Sequence, residues 1–258
     1  MSWPLMNNGR KLIWIRKLET LLDSRIATTS KLDSLHQVVR RPAEKIWKYD
    51  KLLPSFATEL YKLLKDQFGD LVCLEGVFRF AWTASSELGK WCADRAWTHA
   101  LAEEVLPRLE VSVSNILHSE SDNQVPDHIY EEVARIKEAS DLVRVHTFND
   151  PNVPGELSCK VQVLLSEVSK YFGGPTDTKC IVFTKQRYTA IILNELFKNL
   201  NIPHLRSGVI VGVRSGDIAG MNVTFQQQLL ALTKFRKGEI NCLVSSNNTL
   251  VLCVLAQF

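Results

Sequence analysis

The chain has 258 residues, of which 45% are hydrophobic and 23% charged, and its formal net charge is +3 at pH 7. This composition excludes an intrinsically disordered protein and is typical of one large globular domain or two smaller ones. No apolar run approaches the roughly 20 residues of a membrane-spanning helix, and the first residues lack the apolar core of a signal peptide. The modest positive charge permits a polyanionic partner without requiring one.

The pattern of apolar residues predicts that residues 12 to about 148 are mostly helical. LIWIRKLETLLDSRIAT spaces its apolar residues three and four apart, as an amphipathic helix does. VVRRPAEKIWKYD is a more extended connector, because Pro42 removes a backbone donor and disfavours helix in the residue before it. PSFATELYKLLKDQFG predicts a helix with Pro54 and Ser55 at its start and Gly69 at its end.

Further helices are predicted along the same region. SELGKWCADRAWTHALAEEVLPRLEVSVSNILH gives one or two helices divided near Pro107, and PDHIYEEVARIKEASDLVRV gives another that opens at Pro126. We expect Trp82, Trp91 and Trp97 in the core, although the six-residue spacing of the last two leaves room for one of them to stay partly exposed. The charged stretches KWCADRAW and EEVARIKEAS are interpreted as solvated helix faces.

Proline, glycine, asparagine and aspartate cluster in HTFNDPNVPGELS, which favours a domain boundary there. Beyond it, the segments KCIVFT, HLRSGVIVGV and EINCLV read as buried strands, and they alternate with amphipathic helices. This pattern predicts an α/β fold with a parallel sheet flanked by helices. In such sheets the loops after the strand ends carry function, and here they begin at Thr184, Val213 and Ser245.

The six cysteines form no CxxC pair, and several lie within apolar segments such as KCIVF and NCLV. This favours buried, reduced thiols over disulfides or zinc, and it predicts a reducing compartment, the cytoplasm or the nucleus. Common catalytic signatures are absent: there is no GxxxxGK[ST] loop, HExxH, GxSxG or acidic pair at a metal-binding spacing. The glycine-rich GVRSGDIAG lacks GxGxxG spacing, so it is weak as a phosphate cradle. A metabolic α/β enzyme is therefore disfavoured.

Two stretches, KCIVFTKQRYTAIILNELF and VGVRSGDIAGMNVTFQQQLLALTKFRKGEINCLV, resemble the second RecA-like domain of Dicer and its relatives among superfamily 2 RNA helicases. Upstream, VVRRPAEKIWKYD followed by RFAWTASSELGKWCADRAW resembles the linker and helical insertion of fungal Dicer-like proteins. The likeness covers about residues 12 to 244. It implies a helix and linker in 1–53, a helical insertion in 54–148, and a partial helicase C-terminal domain in 149–258.

In that family the strand ending in NCLV leads into motif V, whereas this chain continues with Ser-Ser-Asn-Asn. We therefore expect a divergent tail at 245–258 and a truncated form of the family protein, without motif VI, the first RecA-like domain or the nuclease segments. The intact family uses ATP and magnesium and cleaves double-stranded RNA in RNA silencing and antiviral defence. For this chain the resemblance implies no cofactor and no autonomous ATPase activity, since the phosphate cradle and the arginine are both lacking.

The resemblance also implies that the loop after IVFT contacts the nucleic-acid backbone, which selects Thr184, Lys185 and Arg187. Thr184 ends a strand, and Arg187 opens a helix, where the positive end of the helix dipole favours phosphate. The alternative is that Lys185 and Arg187 only solvate a loop.

Gln226, Gln227 and Gln228 open the following helix, and by position one of them faces RNA or the first helicase domain. The expected partners are double-stranded RNA, bound weakly, and an RNA-binding accessory protein at the helical insertion. A second hypothesis of another class is a non-catalytic module whose helices dock a partner protein.

Overall fold

The computed structural model describes residues 45–111, 113, 126–174, 178–211, 223–246 and 254–256. Contacts divide the chain into two compact units, Met1–Trp47 and Lys48–Phe258. Only the last three residues of the first unit are described. The predicted helix in residues 12–28, the GVRSGDIAG loop with Val213, and most of the tail after Ser246 lie outside the described residues.

Seven helices and four strands lie wholly within the described residues. In the first half these are α1 (Glu59–Phe68), α2 (Glu75–Glu87), α3 (Lys90–Ala100) and α4 (Pro126–Val145), with short 3-10 turns at Val72–Leu74 and Glu103–Val105. In the second half they are α5 (Cys159–Tyr171), β1 (Cys180–Thr184), α6 (Arg187–Asn199), β2 (Ser207–Ile210), α7 (Phe225–Lys237), β3 (Cys242–Ser246) and β4 (Val254–Ala256). No described helix is both long and apolar enough to cross a bilayer.

Helix α1 begins later than its sequence predicts. The expected start at Pro54 and Ser55 is wrong, because Thr58 is the N-cap and its side chain accepts a hydrogen bond from the Tyr61 amide. A threonine hydroxyl satisfies a free amide of the first turn, which a proline start does not do. Thr58 also donates a hydrogen bond to Asp94 of α3, so the cap joins α1 to α3.

An aromatic cluster forms the core of the helical half, the part of the chain that contains α1 to α4. Trp97 is fully buried, with its ring 4.7 Å from that of Phe78, and Tyr61 packs edge-on to Phe78 at 5.3 Å. Trp91 is buried as well, which confirms the core assignment of both α3 tryptophans. The same assignment for Trp82 is wrong, since 41% of that residue is exposed. Trp82 lies on α2 next to the face that carries the buried residues. Its ring contacts Tyr61 at the edge of the aromatic cluster, 5.8 Å between ring centres.

The sheet has the strand order β2-β3-β1-β4. Both β1 and β2 pair with β3 in parallel, which confirms the predicted α/β class and the predicted neighbourhood of the three buried segments. Strand β4, from the tail, adds to the other side of β1 in the antiparallel direction. Because parallel strands require crossover connections, α6 and α7 each run back along the sheet between successive strands.

The predicted division at residues 148 and 149 stays a prediction, since residues on both sides of it pack into the one unit Lys48–Phe258. All five described cysteines are free. Burial raises the pKa of the Cys92 thiol well above its usual range, as expected for an inert core residue.

Replacement of Trp97 by alanine is expected to lower the free energy of unfolding by about 3–5 kcal/mol, because it leaves a large cavity inside the aromatic cluster. The measurement is urea denaturation followed by circular dichroism. Trp82→Ala is the matched control, with an expected loss of about 1 kcal/mol. Equal losses in the two variants would contradict this description of the core.

Candidate nucleic-acid interface

The candidate interface is the edge of the sheet at which the parallel strands end. Thr184 at the end of β1 lies opposite Ser246 of β3, and Ile210 at the end of β2 lies opposite Ser245. The helices that follow β1 and β2 start from this same edge. The chain therefore brings the beginnings of α6 and α7 toward the loop after β1, as the sequence predicts for a parallel sheet.

Thr184 is buried and directs its hydroxyl into the fold. Its Oγ1 donates a hydrogen bond to the carbonyl oxygen of Gln186 at 2.9 Å. The carbonyl oxygen of Ser245 is a second, more distant acceptor, 3.4 Å from the same Oγ1. Only 2% of the residue is exposed, so its side chain offers almost no surface to a ligand. The hydroxyl instead holds the turn that carries the next residues out of the sheet.

Lys185 and Arg187 supply the positive charge of this edge. Lys185 is exposed directly after the strand, and Arg187 is the half-buried first residue of α6. The Arg187 guanidinium carbon lies 5.9 Å from the centre of the Tyr188 ring. Both cations thus lie at the start of α6, where the positive end of the helix dipole favours an anion.

The three glutamines at the start of α7 have different environments. Gln227 closes a capping box: its side chain accepts from the Thr224 amide at 2.8 Å, while the Thr224 hydroxyl accepts from the Gln227 amide at 3.2 Å. Gln228 is buried and donates to the carbonyl of Val223. Gln226 and Gln227 are both exposed, but the Gln227 side chain is held by the capping box, so Gln226 is the better candidate for a ligand contact.

Helix α6 is tied to the helical half by a charged cluster. The Glu195 carboxylate accepts a hydrogen bond from Arg95 Nε at 2.7 Å and also pairs with His99. Burial alone would raise the pKa of Glu195, but His99 and Arg95 together hold it below its usual range. Arg95 in turn stacks over the Phe148 ring at 4.8 Å. The carboxylate is therefore held ionised between the Arg95 and His99 side chains of α3.

An aromatic contact fixes the beginning of the same helix. The Phe80 ring of α2 packs edge-on to the Tyr188 ring at 5.5 Å. Since Tyr188 follows Arg187 directly, the helical half positions the start of α6, where the candidate interface lies.

The sequence interpretation missed this junction. It treated KWCADRAW as a solvated face, which is wrong, because Asp94 is buried and Arg95 is three-quarters covered. Burial raises the pKa of Asp94 to about 6. The available signal was the four-residue spacing of Arg95 and His99, which places both on one face of α3. Their partner is 96 or more residues further along, and no local pattern reveals it.

Within the part of the chain that the structure describes, no group of three or more histidine, cysteine, aspartate or glutamate side chains is placed to hold a metal ion.

The fold and this edge define an α/β protein with a basic strand end, and comparison with known proteins identifies its relatives. No protein-family model matches the chain. It is 60% identical to Dicer-like protein 1 of Aspergillus niger over 244 residues, which cover 95% of this chain and 16% of that protein. It is 61% identical to Dicer-like protein 1 of Neosartorya fischeri over 231 residues, 90% of this chain and 15% of that protein.

A more distant relative is Dicer-like protein 1 of Phaeosphaeria nodorum, at 34% identity over 235 residues, 90% of this chain and 15% of that protein. The chain is homologous to a segment of the fungal Dicer-like proteins, as its resemblance indicated. It spans about one sixth of the length of the curated relatives it matches, since its alignment covers 16% of the Aspergillus niger protein.

Replacement of Glu195 by glutamine is expected to lower the free energy of unfolding by about 2–3 kcal/mol at pH 7, since it leaves Arg95 partly buried without a carboxylate. Because the folded state lowers the pKa of Glu195, its contribution is present above the unfolded value of about 4.3. That contribution is lost as the pH falls through the lowered folded pKa. The measurement is urea denaturation at several pH values.

Asp141→Asn is the control for this variant, because Asp141 pairs with Arg144 on an exposed helix face. Its expected effect is below about 0.5 kcal/mol. If both variants lose equally little, the charged cluster does not join α3 to α6 energetically.

Proposed function

We propose that this chain is the helical insertion and partial second RecA-like domain of a Dicer-like, ATP-dependent RNA helicase and endoribonuclease of RNA silencing. Within that protein its role is to hold the backbone of double-stranded RNA. The observation that carries the proposal is the identity of 55–61% to several fungal Dicer-like proteins over nearly the whole chain.

The geometry at the sheet edge where the parallel strands end, which we call the strand-end interface, supports binding of the RNA backbone. Lys185 is exposed, Arg187 opens α6, and the positive end of the dipole of that helix lies at the same loop. Charges in this arrangement suit phosphate oxygens and carry no base-specific pattern. Binding through them is therefore sequence-independent and weakened by salt.

The neighbouring polar residues divide into supports and contacts. Thr184 shapes the loop through its hydrogen bond to Gln186, and Gln227 caps α7. Both are positioning residues in this proposal. Gln226, which is exposed on the first turn of α7, is the further contact residue. This assignment refines the sequence prediction, which grouped these residues as one RNA-binding set.

The helical half acts as a brace for this surface. Its contacts at Tyr188 and Glu195 fix both the first turn and the middle of α6. A rigid α6 holds Arg187 in place before RNA arrives, which lowers the entropic cost of binding. Docking of an RNA-binding accessory protein to these helices stays a prediction.

Replacing Lys185 and Arg187 together by alanine is expected to weaken binding of a short RNA duplex. The plot of log affinity against log salt concentration should become shallower by about two, because each lost phosphate contact contributes about 0.9. The measurement is fluorescence anisotropy over a series of salt concentrations.

The matched control for this pair is Arg79→Ala with Arg144→Ala, which removes the same charge from two exposed, ion-paired helix positions. The control is expected to leave the salt dependence unchanged. The proposal fails if the Lys185 and Arg187 variant keeps the slope of the unchanged protein.

The purified chain is expected not to hydrolyse ATP, even with saturating RNA, because its sequence holds neither a GxxxxGK[ST] loop nor an acidic pair for magnesium. Phosphate release is the measurement, with a mock purification from cells lacking the chain as control. RNA-stimulated turnover that co-purifies with the chain and is missing from the mock sample would contradict this prediction.

A further inference from the structure

A second basic surface lies at the opposite edge of the sheet, where the parallel strands begin. Cys180, Cys242 and Ser207 are register partners across β1, β3 and β2. Lys179 and Arg206, each one residue earlier, therefore lie at the same level on either side of β3. Since neighbouring strands are about 4.8 Å apart, their backbones are about 10 Å from each other.

Helix α7 ends at this edge and adds three more cations. Its last turn carries Lys234, Arg236 and Lys237, and Gly238 closes the helix with a φ of +78°, a conformation that favours glycine. Lys179 Nζ donates to the carbonyl oxygen of Arg236 at 3.1 Å, which places its charge directly against the helix end.

Arg206 is held in a fixed orientation. Its Nε donates to the carbonyl of Glu239 and its Nη2 to the carbonyl of Gly238, both at 3.0 Å. Buried Asn241 fixes the loop beneath it by accepting from the Arg206 amide at 2.8 Å and donating to the carbonyl of His204 at 2.7 Å. Arg206 is exposed, and these two bonds leave three of its five guanidinium N–H donors for a ligand.

The charges of this surface, which we name the basic edge, have no acidic partners among the described residues. The basic edge consists of Lys179, Arg206, Lys234, Arg236 and Lys237. In the described segments 178–179, 204–206 and 234–241 that build it, the one acidic residue is Glu239.

Several cations on the described helices are paired with carboxylates, and none of these ion pairs involves the basic edge. The pairs on the helices include Arg79–Glu75, Lys137–Glu110, Arg144–Asp141, Lys160–Glu87 and Lys170–Glu167. Five like charges left together repel one another, and an anionic ligand removes that repulsion.

We propose that the basic edge is a second binding surface for the phosphate backbone of RNA, distinct from the strand-end interface. The strands of five residues separate the two edges by about 16 Å. The choice of RNA as the polyanion rests on the proposed function.

Among the described residues 178–179, 204–206 and 234–241 there is no exposed large apolar side chain to anchor a protein partner. Protein interfaces depend on buried apolar anchors, whereas the aromatic residue here, Phe235, lies under the Lys179 ammonium at 5.5 Å. A guanidinium held by two backbone bonds, with neighbouring ammonium groups, is suited to phosphate oxygens.

The test uses the full chain carrying Lys185→Ala and Arg187→Ala, so that the strand-end interface no longer contributes. Into this background we introduce Lys234→Gln, Arg236→Gln and Lys237→Gln, whose side chains make no described hydrogen bond or ion pair. The probe is a short RNA duplex, followed by anisotropy across salt concentrations. The background protein should retain salt-sensitive binding, and the triple replacement should make its slope shallower by about three.

The matched control in the same background is Arg79→Gln, Lys137→Gln and Arg144→Gln, which changes net charge equally at paired positions. It should leave the slope unchanged. Equal losses in the two triple variants would show a response to net charge alone and overturn the basic edge. Polyglutamate of the same charge competing as well as the duplex would overturn the assignment to phosphate.

This design distinguishes failure of the strand-end proposal from failure of the basic-edge proposal. If the background protein has lost all binding, the basic edge is overturned and the strand-end interface is supported. If the background binds as well as the unchanged protein but the triple replacement removes binding, the proposed strand-end interface fails and the basic edge stands.

Discussion

The parallel registration of β1, β3 and β2 is the constraint on which both candidate RNA surfaces depend. It brings three strand ends to one edge and three strand beginnings to the other. Each connecting helix must then return along the sheet, so α6 and α7 begin at the first edge and finish at the second. Residues far apart in the chain, such as Lys179, Arg206 and Lys237, meet only because of this arrangement.

The helical half fixes the position of α6, the helix that connects β1 to β2. Glu195, Arg95 and His99 form an ion cluster that is largely covered from water, and Phe80 packs on Tyr188. Such contacts are stronger than exposed ion pairs because solvent screens them less. The consequence is that the start of α6, with Arg187, is positioned by residues about 100 places earlier. The helices of the first half and the sheet thus determine the position of the same surface.

The local sequence pattern predicted helices and strands correctly where buried apolar residues recur at a regular spacing. The three apolar segments became the predicted strands, and Pro126 opens α4 as expected. The start of α1 was misplaced because a proline and a serine resemble a cap, whereas Thr58 is the residue whose hydroxyl reaches a free amide. Trp82 was misassigned because large aromatic side chains are commonly buried, and its position on α2 decides the matter instead. Of the predicted site residues, Thr184 and Gln227 have side chains engaged within the fold, which residue type alone does not indicate.

The sequence by itself determined the class of fold, the free state expected of its cysteines, and the resemblance to the Dicer-like family, because these depend on periodicity and on stretches read in order. It also selected Lys185 and Arg187, since a strand end and a helix start are local features. The tertiary structure alone decided the Glu195 cluster and the basic edge. Both join side chains that are far apart in the chain, by 100 positions for Arg95 and Glu195 and by 57 for Lys179 and Arg236. Charge interactions depend on distance in space, which sequence order does not encode.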